Sequence, residues 1–102
     1  MDKVAALKDI LALDAKNSFA RYGLAMELAG QGKTDEALTE FDTLVDNDPN
    51  YTAGYFMAAQ NLAKVGKSRE AIERLKVGIA SAARTGNSHA MSEMQAMLDE
   101  LE

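Results

Sequence analysis

Cysteine and tryptophan are absent from this chain of 102 residues, and proline and histidine occur once each. Without cysteine there is no disulfide framework and no thiolate nucleophile or ligand, which fits a reducing compartment and suggests a cytoplasmic protein. No apolar run is long enough to cross a bilayer, so no membrane partner is expected. The opening Met1-Asp2-Lys3-Val4 carries an acid and lacks the compact apolar core of an export signal. Bases are in deficit: 11 Lys and Arg stand against 16 Asp and Glu, a net charge of −5, so nucleic acid is not an expected partner. What remains is 47% hydrophobic residues, enough to fold a single domain of this length.

Charge is uneven along the chain. Residues 1–51 carry a net −5, residues 52–85 a net +4, and residues 86–102 hold 4 acids and no base. Alternation of this kind is ordinary for solvated faces. Its sharper meaning is steering, either of an acidic partner segment or of the acidic end of a second copy.

The chain also repeats itself. A shift of 34 residues lays Ala25, Leu28, Ala29, Gly32, Lys33, Glu36 and Ala37 on Ala59, Leu62, Ala63, Gly66, Lys67, Glu70 and Ala71. Tyr22 falls on Phe56, Leu38 on Ile72, Phe41 on Leu75 and Val45 on Ile79. A fixed period of this size indicates stacked supersecondary units. Within each unit apolar residues recur at spacings of three and four, as on a helix face. Gly30-Gln31-Gly32 stops one helix, Thr34 and Ser68 stand where an N-cap oxygen is wanted, and Asp48-Pro49 ends another. Helices are predicted near 2–14, 18–30, 35–47, 52–65, 69–84 and 88–101, with no strands.

The unit resembles the tetratricopeptide repeat, in which a bulky residue, Leu, a small residue and Tyr precede Ala-x₃-Phe and a closing Pro. The first copy reads Arg21-x₂-Leu24-Ala25-x₂-Leu28, Ala37-x₃-Phe41, Pro49; the second reads Tyr55-x₂-Ala58-Ala59-x₂-Leu62, Ala71-x₃-Leu75, with Ala83 where proline would stand. Arg21 departs from the bulky aromatic, and the missing second proline would let that helix run on. The resemblance implies an all-α fold, a short right-handed α-solenoid of antiparallel helix hairpins with about six helices. One domain would cover 1–102: a half-repeat over 1–17, full repeats over 18–51 and 52–85, and a capping helix over 86–102.

Members of this family usually act by binding, and the first helices of their units line a concave groove. Here that wall would comprise Phe19, Tyr22 and Met26, then Ala53, Phe56, Met57, Gln60 and Lys64. Tyr22 and Phe56 serve equally well as core. The carboxylate clamp known in one subclass needs Lys and Asn where this chain has Tyr22 and Met26, so that activity is not expected. The expected partner is another protein or peptide with a hydrophobic segment. A second reading is homo-oligomerisation through a terminal helix, using Val4, Leu7, Ile10 and Leu11 at one end or Met91, Met94 and Leu98 at the other, since uncovered apolar faces favour self-association.

No cofactor, metal or catalytic residue is expected. Met91-x₂-Met94-x₂-Met97 has thioethers on one helix side but no cysteine to join them, and core packing explains it better. Asp46-Asn47-Asp48-Pro49-Asn50 begins like a calcium loop, yet Tyr51 and Met57 stand where glycine and glutamate are required. His89 lacks a nucleophile, the acid pairs Asp35/Glu36 and Asp99/Glu100 diverge as sequence neighbours on a helix, and Gly30-Gln31-Gly32-Lys33 lacks the spacing of a phosphate loop.

Overall fold

The computed structural model describes residues 2–102, and in it six α-helices follow one another: α1 (Lys3–Leu13), α2 (Ser18–Gly30), α3 (Thr34–Asn47), α4 (Thr52–Lys64), α5 (Ser68–Arg84) and α6 (Ser88–Leu101). The described residues contain no strand. Each helix packs antiparallel on the next, and α4 also touches α6.

Two kinds of turn, each recurring after 34 residues, build this order. Inside a hairpin the chain reverses at a glycine with positive φ, +78° at Gly32 and +82° at Gly66, a region where a side chain would be strained. The Gly32 amide donates to the Ala29 carbonyl (3.0 Å) and the Lys33 amide to the Leu28 carbonyl (2.9 Å); Gly66 with Ala63 (3.0 Å) and Lys67 with Leu62 (2.9 Å) repeat the pattern. Between hairpins the stop is an aspartate. Asp14 and Asp48 take φ of −144° and −140° and return their amides to Ile10 and Leu44. The Asn17 amide then donates to Asp14 (3.1 Å), as Tyr51 does to Asp48 (2.9 Å).

The exit of α5 departs from this scheme. Without proline there, α5 runs for 17 residues against 14 in α3. It ends at Gly86 (φ +69°) with the Asn87 amide bonded to the Ala82 carbonyl at 2.8 Å. A hairpin-type turn thus stands where an inter-hairpin turn would be.

Capping corrects one expectation. Thr34 and Ser68 are the first helical residues; Lys33 and Lys67 hold the N-cap positions, and neither start has a side-chain capping bond. The short link from the glycine leaves only a lysine there, which has no acceptor, so the helix dipole is met by Asp35, Glu36 and Glu70 in the first turns. Side-chain caps occur instead at Asp2, Asn17 and Asn87, each accepting an amide two or three residues on.

The core is two clusters along the stack. Leu11, Leu24, Leu28 and Phe41 fill the first with Ala20, Ala25, Ala37 and Ala58 between them. Leu62, Leu75, Met94 and Leu98 fill the second with Ala59, Ala71 and Ala82. Leu38 packs against both. Small residues sit where helices cross closely: a Cβ on Gly54 would come within 2.8 Å of Val45 Cγ1, and one on Gly78 within 2.6 Å of Met94 Sδ and 2.8 Å of Tyr55 Cβ. The molecule measures 40 × 29 × 18 Å.

The two terminal helices are less open than the sequence suggests. Met94 and Leu98 are buried against α4 and α5 and so are spent inside the chain, while Met91 beside them is half-buried. At the other end Leu11 is buried and Val4 and Leu7 pack on the first cluster, while Ile10 remains 45% exposed. Its counterpart 34 residues on, Leu44, is 1% exposed, because α3 is held by α2 and α4 whereas α1 packs chiefly on α2.

Candidate functional site

Helices α2 and α4 carry the groove residues singled out from the sequence, and α6 packs beside α4. On α2, Phe19, Tyr22 and Met26 follow at helical spacing; Phe19 is 81% and Met26 36% exposed. Tyr22 is half-buried: its ring meets Phe41 edge-on at 6.2 Å and Tyr51 at 5.4 Å. On α4, Ala53, Gln60 and Lys64 are exposed, whereas Phe56 and Met57 are half-buried against the second and first clusters respectively. Tyr22, Phe56 and Met57 therefore share their surfaces between core and solvent.

Two of these residues join a feature that sequence reasoning missed. Phe56 and Gln60 line one side of a depression of about 460 Å³, and Glu93, Ala96, Met97 and Glu100 of α6 line the other. Residues 86–102 read as a cap, with their methionines drawing attention to the buried side. The signal was the spacing of Glu93, Ala96 and Glu100, three and four apart on one helix face. Glu93 also accepts from His89 Nε2 at 2.8 Å, a pair within α6.

Two phenols, Tyr51 and Tyr55, hold their protons more tightly than a free tyrosine does. Burial raises the Tyr51 pKa above its ordinary 10.0, and the neighbouring Tyr22 and Asp48 push in the same direction. Burial likewise raises Tyr55, opposed by Arg84 and assisted by Asp46 and Asp48. Among the described residues no three His, Cys, Asp or Glu side chains gather as a metal site, and no helix is long and apolar enough to cross a membrane.

No protein-family model matches the chain. A TPR repeat-containing protein of Pseudomonas aeruginosa is 27% identical over 99 residues, covering 97% of this chain and 94% of that one. The solution structure of a tetratricopeptide repeat domain protein from Salinibacter ruber superposes with a TM-score of 0.80 at 29% identity, over 84% of this chain and 87% of that one. The chain shares the fold of tetratricopeptide repeat proteins. PcrH in complex with the chaperone-binding region of PopD shares the fold with a TM-score of 0.90 at 20% identity, over 96% of this chain and 74% of that one.

The tetratricopeptide pattern explains what Arg21 does at its unusual position. In the second repeat the Tyr55 hydroxyl donates to the Pro49 carbonyl at 3.0 Å. In the first, Arg21 Nη2 donates to the carbonyl of Ala15, the residue 34 before Pro49, at 2.8 Å. The guanidinium makes the bond that the phenol makes in the other repeat. Its second nitrogen meets Glu40 at 2.6 Å, both side chains largely buried. At the position equivalent to Glu40 the second repeat has Arg74, which forms a two-pronged contact with Asp42 at 3.1 Å. Hydroxyls reinforce the stacking: Ser18 donates to Asp48 (3.0 Å), and Thr52 bonds Ser81 (2.8 Å), tying the start of α2 and of α4 to the end of the helix that follows its hairpin turn.

Proposed function

We propose that this chain is a protein–protein interaction module, an adaptor or small subunit, that docks a segment of a partner on the wall of α2, α4 and α6. The observation that carries the reading is the row of aromatic and thioether side chains kept in or near solvent, above all Phe19 and Met26, with Phe56 half-open beside the depression. Exposed apolar rows supply the anchors of small interfaces. The PcrH structure, which holds a binding region of PopD, supports it by showing what this fold accommodates elsewhere.

The test is capture of partners by the wild type beside Phe19→Ala/Met26→Ala. Both side chains are exposed enough for the variant to keep its melting midpoint, and capture should fall at least about tenfold, the loss of a small hot spot. Retained capture would reject the wall. Tyr22→Ala is the wrong probe, because its contacts with Phe41 and Tyr51 make it a stability variant.

A second reading, self-association through α1, is favoured by Ile10 and by Leu13, which is 93% exposed. Light scattering at high protein concentration tests it: a dimer mass lost in Ile10→Lys supports it, and a monomer mass removes it.

A further inference from the structure

We infer that the occupant of the wall is an extended partner segment in which a bulky apolar side chain lies between two Lys or Arg residues. The inference rests on the interaction-module reading and adds the chemistry of the partner.

The depression between α4 and α6 has an apolar floor and acidic ends. Phe56 and Met97 are half-buried in it, so each presents part of its surface to an incoming side chain. Glu93 and Glu100, both exposed, stand on the α6 side, two helical turns apart. At 1.5 Å rise per residue their backbones lie about 10 Å from each other. An extended chain covers that distance in roughly three residues, and flexible cationic side chains accommodate three or four. Two cations three or four positions apart, with one bulky apolar residue among those between them, therefore match floor and ends together.

The surrounding charge agrees. Residues 86–102 contain four acids and no base, so nothing on α6 itself neutralises this side except the His89 contact to Glu93. Of the other two acids, Asp99 accepts from Gln95 within α6 at 3.0 Å and Glu102 is drawn to Lys76 on α5 at 3.7 Å. Lys64 lies in the last turn of α4, where the negative end of the helix dipole offsets part of its charge. An acidic segment would meet two carboxylates with one such lysine in return, and like charges facing each other disfavour binding. A purely apolar segment would leave the acidic ends of the depression, Glu100 and the His89-bonded Glu93, without a partner on the ligand.

The experiment uses the full chain and a random dodecapeptide library displayed on phage. Selection on the wild type should enrich peptides with Phe, Leu or Met between Lys or Arg. A synthetic peptide of the winning sequence should lose about tenfold affinity for Glu93→Lys/Glu100→Lys, two exposed pairs reversed, and should bind more weakly as salt rises. Selection on that variant should instead enrich Asp and Glu around the same apolar residue. Its melting midpoint serves as the control for folding. Peptides that depend on Phe19 and Met26 but ignore the charge reversal would overturn this inference and leave the docking wall standing. No enrichment, or enrichment indifferent to both variants, would reject the wall as well. Enriched peptides of acidic character, or displacement of the peptide by a second copy of this chain, would also overturn it.

Discussion

A single arginine shows how a repeat tolerates a departure from its pattern. Arg21 replaces an aromatic residue, yet it recovers the turn-bracing bond by donating to Ala15 and holds Glu40 besides. Glu40→Ala would leave a largely covered guanidinium with one partner, and urea titration should register a loss of about 1.5–3 kcal/mol. Arg21→Tyr, which restores the phenol donor of the second repeat, should cost less than Arg21→Ala; equal losses would mean that the bond to Ala15 contributes nothing. The tyrosines make a prediction about pH. A phenol whose folded pKa is raised holds its proton more tightly when folded, so its contribution is complete below pH 10.0 and is lost as pH rises through the higher folded value. Thermal melts of the wild type should therefore decline from about pH 10 upward, and Tyr51→Phe should shrink that decline.

At the scale of the helix, identity at one register position decides how neighbours approach. Leu44 in α3 fills the gap over Gly54 of α4, whereas its counterpart in α5 is Gly78, which admits Met94 of α6. Gly78→Leu would overpack that crossing. It should cost about 1–3 kcal/mol by denaturant titration, with amide exchange accelerated first in α6; unchanged exchange there would contradict the close approach. The helices themselves were legible because glycine, aspartate and proline act locally: Gly32, Asp48 and Pro49 dictate their turns whatever lies around them. Thr34 misled because hydroxyl preference for caps says nothing of the number of link residues after a glycine, and that number places Lys33 at the cap. Gly78 gave no warning either. Its role depends on a methionine sixteen residues away in sequence, and helical periodicity carries no information about which crossing is tight.

For the whole molecule, position in the stack outranks residue type. Leu44 and Ile10 are equivalent by the 34-residue shift and similar in size, but only Leu44 is enclosed on both sides. Leu44→Ala should cost about 2–5 kcal/mol in a urea titration and Ile10→Ala less than half as much; equal losses would show that α1 is covered in solution. The candidate wall was half legible for the same reason. Residues on α2 and α4 follow from the repeat, since the shift places Phe56 where Tyr22 stands. Glu93 and Glu100 were not, because the altered joint before α6 breaks the register on which the comparison relied. That joint also governs how the protein could be enlarged. Residues 18–51 could be duplicated in place, since Tyr51 already hands on to a helix opening with a hydroxyl residue and both seams would reuse a turn the molecule possesses. A copy spliced after Gly86 would leave along a different path, and the lengthened rod would bend at that point.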